Sequence, residues 1–152
     1  MKAEDSDRET KQITVEAVAG NLDIVIEFVN ELLKRLGCPL KVQTGIDIAI
    51  DELFGNIAHY AYGSDTGPVT VRADATGCVD PEVAGSSRAV TISFIDQGTP
   101  FNPLSWPEPD VTLSAEKRKV GGLGIYIVKK SMDEVSYEYK EGKNILRVKK
   151  HF

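Results

Sequence analysis

Two consecutive helical patterns, followed by β-branched runs that come in pairs, constrain this chain more than any other feature. In "NLDIVIEFVNELLKRLG" (21–37), Leu22, Val25, Ile26, Val29, Leu33 and Leu36 recur at helical spacing and form one apolar stripe. Asn21 is suited to cap that helix, and Gly37 with Pro39 just beyond is suited to end it. A second helix is expected over 41–60, up to the turn composition "YGSDTGP" (62–68). Five stretches read as strands: "QITVEAV" (12–18), "VTVRADA" (69–75), "AVTISFID" (89–96), "EVSYEYK" (134–140) and "NILRVKKHF" (144–152). The middle pair flanks a long loop, and the last pair forms a hairpin around "EGKN". "GGLGIYIVKKSM" (121–132) reads as a short helix with a glycine start. The order β-α-α-β-β-α-β-β predicts an α+β fold of two layers, with helices on one face of a mixed, mostly antiparallel sheet.

A chain of 152 residues suits one domain with a sizeable core, with residues 1–11 as a disordered tail and 12–152 as the domain. At 41% hydrophobic and 27% charged, it is too apolar for a disordered protein. Its net charge of −5 argues against a protein built to coat nucleic acid or an anionic membrane, although a local basic patch stays possible. Cys38 and Cys78 form neither a CxxC nor a Cys/His metal spacing, so a reducing, cytoplasmic compartment is expected. The polar start argues against a signal peptide, and no apolar run reaches transmembrane length.

The second helix carries polar residues that a plain core helix would not want. At about 100° per residue, Asn56 lies about 40° from Glu52, and His59 about 20° to its other side. Ile46, Ile50, Leu53 and Ile57 cluster about 100–160° away on the same wheel. An acid and an amide one turn apart can reach the same ligand or metal. A solvated helix face would look the same, and His59 could simply hydrogen-bond near the helix end.

Two further stretches carry chemistry. "FIDQGTPFNP" (94–103) puts Asp96 at the end of an apolar strand, followed by Gly98. A buried carboxylate there needs a donor, such as the exocyclic amine of a purine, and Gly98 would let a flat ring approach the backbone. An ordinary Asp-initiated turn would read the same way. In "GGLGIYIV" (121–128), glycines open a helix whose free N–H groups favour phosphate, or simply let it pack. Ile127 stands at the third glycine position of a Rossmann fingerprint, and no GxxxxGK[ST] occurs, so both of those nucleotide motifs are excluded. Pro100, Pro103, Pro107 and Pro109 keep 97–120 irregular.

Together "ELFGNIAHYAY", "DQGTPFNP" and "GGLGIYIVKKSMDEV" resemble, in order and spacing, the N, G1 and G2 boxes of the GHKL superfamily and its Bergerat ATP-binding fold. The nearest branch is that of the anti-sigma-factor serine-protein kinases, which the ending "GKNILRVKKHF" also resembles. The resemblance implies that Glu52 is the general base and that Asn56 ligates Mg²⁺. It implies that Asp96 accepts from the adenine amine of ATP, with Gly98 beside the ring. Gly121, Gly122, Leu123 and Gly124 would open the phosphate-binding helix. Residues 103–120 would form an ATP lid, from which Arg118 or Lys119 reaches the γ-phosphate unless that cation is simply solvated. Trp106, inside this stretch, either covers the sheet edge without moving or changes exposure as a lid orders. The threonine-containing box of larger members is replaced by "GKN". The resemblance implies an anti-sigma antagonist protein and a sigma factor as partners, a homodimer, and no direct nucleic-acid or membrane contact. Three readings stay open: a serine/threonine kinase, a regulatory ATP-binding module without phosphotransfer, and a structural protein that has lost nucleotide.

Overall fold

The computed structural model describes residues 8–77, 88–105 and 123–152, apart from the side chain of Leu123. Arg118, Lys119, Gly121, Gly122 and Trp106, and with them most of the expected lid, lie outside the described residues.

Five strands form one sheet: β1 (Glu9–Glu16), β2 (Pro68–Gly77), β3 (Arg88–Asp96), β4 (Glu134–Lys140) and β5 (Lys143–His151), in the order β1-β2-β3-β5-β4. Every neighbouring pair is antiparallel, so the sheet is not mixed as the sequence suggested. β3 and β4 run in the same direction, but β5 lies between them. β1 starts at Glu9, three residues before the expected Gln12. Its first residues pair with Ala75, Asp74 and Ala73, so partner β2 rather than local hydrophobicity extends it.

Three α-helices are described: α1 (Leu22–Arg35), α2 (Leu40–Tyr60) and α3 (Leu123–Ser131). Gly37 ends α1 with φ +74, while Cys38 N–H bonds back to Leu33 O at 2.9 Å, which closes the last turn. Asn21 precedes α1 but does not cap it with its side chain. Its amide donates instead to Glu16 O at 2.9 Å, tying the helix start to β1.

The core lies between the helices and one face of the sheet. Val25, Val29 and Leu33 of α1 meet Ile46, Ile50, Leu53, Phe54 and Ile57 of α2 there. Val69 and Val71 of β2, Val90, Ile92 and Phe94 of β3, and Leu146 and Val148 of β5 close it from below. Alternation along β3 and β5 therefore puts Asp96 and Asn144 on the helix-facing side, in phase with Phe94 and Leu146. The opposite face is polar and carries pairs such as Arg147–Glu138 at 3.2 Å, which are exposed and contribute little to stability. Among the described residues, no helix is long and apolar enough to cross a membrane.

Candidate active site

α2 is positioned by its apolar face, and that placement aims its polar stripe. Ile46, Ile50, Leu53 and Ile57 are all buried, as the helical wheel requires. Asn56 consequently faces a cleft between α2 and the ends of β3, β4 and β5. Asp96, Thr99, Phe101, Pro103, Tyr137, Asn144 and Leu146 line the rest of it with Leu53, Ile57 and Ala61. The cleft holds about 380 Å³ of empty space, its open mouth included. It is mostly apolar with a few convergent polar groups, as small-molecule sites usually are.

Asp96 is the buried carboxyl group of this cleft, with 4% of its surface exposed. Its Oδ1 accepts the Gly98 N–H at 2.8 Å and the Asn144 side-chain amide at 2.9 Å. The first bond is the Asp-initiated turn that the sequence left open, and the second comes from across the sheet, where Asn144 is the register partner of Asp96. Among the described residues no donor reaches Oδ2. One oxygen is therefore satisfied and the other remains available to a ligand.

The turn after Asp96 is clamped at both ends. Thr99 N–H donates to Ala61 O, the end of α2, at 2.9 Å. Gly98 approaches so closely that a Cβ there would lie 2.2 Å from that carbonyl oxygen. Gln97 N–H donates to the Tyr62 hydroxyl, which itself donates to Pro68 O at 2.6 Å. Burial pushes the Tyr62 hydroxyl above its ordinary pKa, which keeps it a donor. Phe101 N–H reaches Asn144 Oδ1 at 3.1 Å, and the Tyr137 hydroxyl donates to the same oxygen.

Glu52 sits one turn before Asn56 and outside the cleft lining, half-buried against the first turn of α3. It meets Gly124, where a Cβ would lie 1.8 Å from Glu52 Oε2. Burial first, and the neighbouring Asp51 charge second, raise its carboxyl above the usual range. His59 is exposed and packs edge-on against Tyr60, with ring centroids 4.8 Å apart. The structure thus brings Asn56 and Asp96 to one cleft, ties Gly98 to Asp96 without placing it in the lining, and puts Glu52 beside Gly124. Asn144, Tyr137 and Tyr62 were not singled out from the sequence. Asn144 stands where the expected turn "EGKN" meets the expected last strand, and its phase with Leu146 and Val148 marks it as inward-facing.

The family model for the histidine kinase-like ATPase domain matches residues 15–150. The chain belongs to this family. Membership implies ATP binding and places the chain within the GHKL group. Its Bergerat-type fold agrees with the helix layer on an antiparallel sheet. The chain is 26% identical over 117 residues to the serine-protein kinase RsbW of Bacillus mycoides, covering 76% of this chain and 68% of that protein. The RsbW of Listeria monocytogenes serotype 4a is 25% identical over 123 residues, covering 78% of this chain and 72% of its own. Among solved structures, the RsbU and RsbW domains of Rv1364c from Mycobacterium tuberculosis superpose with a TM-score of 0.58 at 16% identity. That match covers 93% of this chain but 32% of the other, so it bears on the fold alone.

Proposed function

We propose that the chain is an ATP-dependent serine/threonine-protein kinase of the anti-sigma-factor type. It would phosphorylate an anti-sigma antagonist protein and sequester a sigma factor in the same partner switch, acting as a homodimer. The observation that carries this reading is the geometry of α2, which delivers Asn56 to the cleft holding Asp96 and Glu52 to the first turn of α3. The distant likeness to serine-protein kinases supports the choice of acceptor.

The residues present fit an adenine nucleotide. A buried carboxylate with one unclaimed oxygen suits the exocyclic amine of adenine, while guanine would present a carbonyl oxygen to it. α3 is nine residues long, and the N–H groups of its first turn, which have no partner within the helix itself, suit phosphate. Among the described residues no group of three or more His, Cys, Asp or Glu could hold an ion. Asn56 would therefore contribute one amide oxygen to Mg²⁺ shared with phosphates and water. When bound, the ion neutralises phosphate charge. Glu52, its carboxyl raised by burial, is a stronger base than an exposed carboxylate. It would take the proton of the acceptor serine hydroxyl as that oxygen attacks the γ-phosphorus and ADP departs.

A second reading is a regulatory ATP-binding module without phosphotransfer. It draws on the position of Glu52, whose carboxylate fills space beside Gly124 and does not line the cleft. Glu52→Gln separates the two. Under the kinase reading the variant binds ATP as the wild type does, while transfer to an antagonist falls by about a hundredfold or more. Wild-type transfer that Glu52→Gln leaves unchanged would refute the base assignment. A wild type that binds ATP but transfers nothing to its cognate antagonist would favour the module.

A further inference from the structure

We propose that Asn144 is the positioning residue that makes Asp96 selective for the amino group of adenine. The inference rests on the reading of Asp96 as the adenine acceptor and adds the residue that holds it ready.

Asn144 is 5% exposed, and every polar atom of its side chain is engaged. Its Nδ2 donates to Asp96 Oδ1 at 2.9 Å and lies 3.0 Å from Thr99 O and 3.3 Å from Gly98 O. Its Oδ1 accepts the Phe101 N–H at 3.1 Å and the Tyr137 hydroxyl. This pattern fixes which way the amide faces. Reversed, its oxygen would oppose three acceptors and its nitrogen would oppose the Phe101 N–H. Burial holds the Tyr137 hydroxyl above its ordinary pKa, so it stays protonated and reinforces that choice.

The consequence falls on Asp96. With Asn144 and Gly98 both donating to Oδ1, the carboxylate cannot turn without breaking two bonds at once. Among the described residues Oδ2 is then the one Asp96 side-chain oxygen without a donor, held in a fixed direction toward an incoming one. Without Asn144, Oδ1 keeps only the Gly98 N–H, and either oxygen can turn toward a water or a ligand. Affinity for the amine then loses its preorganisation. Asn144 need not touch the nucleotide for this.

The test uses ATP and purine riboside triphosphate, which share sugar and phosphates and differ in the amino group. Binding to wild type, Asn144→Asp and Asn144→Leu is measured by calorimetry, with circular dichroism to check folding. Asn144→Asp keeps the shape but turns a donor into an acceptor facing Asp96. Asn144→Leu removes both functions. Wild type should prefer ATP by about tenfold or more. In either variant the preference should fall to within about threefold of unity while the affinity for purine riboside triphosphate changes little. A variant that weakens both nucleotides equally and keeps the preference has a structural role only, which overturns the proposal. A wild type without any preference overturns the Asp96 reading beneath it. Either folded variant decides between these outcomes.

Discussion

The carboxylate of Glu52 fills the space that a side chain at position 124 would need. A Cβ on Gly124 would lie 1.8 Å from Glu52 Oε2 and 2.5 Å from its Cδ. The atoms in the way are the far end of a flexible side chain, so Glu52 can move aside at small cost. Gly124→Ala should therefore fold well, helped by up to about 1 kcal/mol of better helix propensity. Its effect should fall on phosphotransfer, because the displaced carboxylate leaves the first turn of α3. Single-turnover transfer should drop at least about tenfold while the melting temperature stays level or rises. Wild-type transfer rates in Gly124→Ala would mean that this placement of Glu52 does not matter.

Gly98 poses the opposite case. A Cβ there would lie 2.2 Å from Ala61 O and 2.6 Å from Ala61 C, and neither is a side-chain atom that can rotate away. The same carbonyl accepts the Thr99 N–H, so moving the turn breaks a bond at the end of α2. Gly98→Ala should cost about 1–3 kcal/mol of stability, as overpacking does. It should also weaken ATP, since the Gly98 N–H holds Asp96 Oδ1. Denaturant midpoints and nucleotide titration check both effects. A wild-type midpoint would show that the turn relaxes freely.

The layered architecture could be read from the sequence because hydrophobic period and burial agree in most elements. β4 runs Glu134–Lys140, as its alternation predicts, and the apolar face of α2 is the buried one. Legibility failed where partners across the sheet decide. Glu9, Thr10 and Lys11 carry no hydrophobic signal and become strand through β2. Leu32 is buried although the stripe favoured Leu36, which is only half-buried beside the turn at Gly37. Asp96 was legible as a buried strand-end carboxylate. Its partner Asn144 was not, because the pattern fixes only which face a residue takes, and β3 and β5 share no hairpin turn that would set their exact register.

Between α1 and α2, Asn30 Nδ2 donates to Asp47 Oδ2 at 3.3 Å, yet Oδ1 of each residue is buried without a partner among the described residues. Burial raises the Asp47 carboxyl above its ordinary pKa, against the opposing pull of the Asn30 bond and the Lys34 charge. A carboxyl raised on folding destabilises the folded state while it is ionised. Stability is therefore regained as pH falls through the folded-state pKa toward the unfolded value. Asp47→Asn removes the charge and adds a donor to a pair short of donors. At neutral pH it should stabilise the protein by up to about 1 kcal/mol, reduced by the loss of attraction to Lys34. The advantage over wild type should shrink as pH drops into the range just above ordinary carboxylates, because wild-type Asp47 then protonates and becomes neutral too. Urea midpoints of both proteins from neutral pH downward measure the difference directly. A variant less stable at neutral pH, or a difference that does not change with pH, would show that the ionised carboxylate is not the source of strain between these helices.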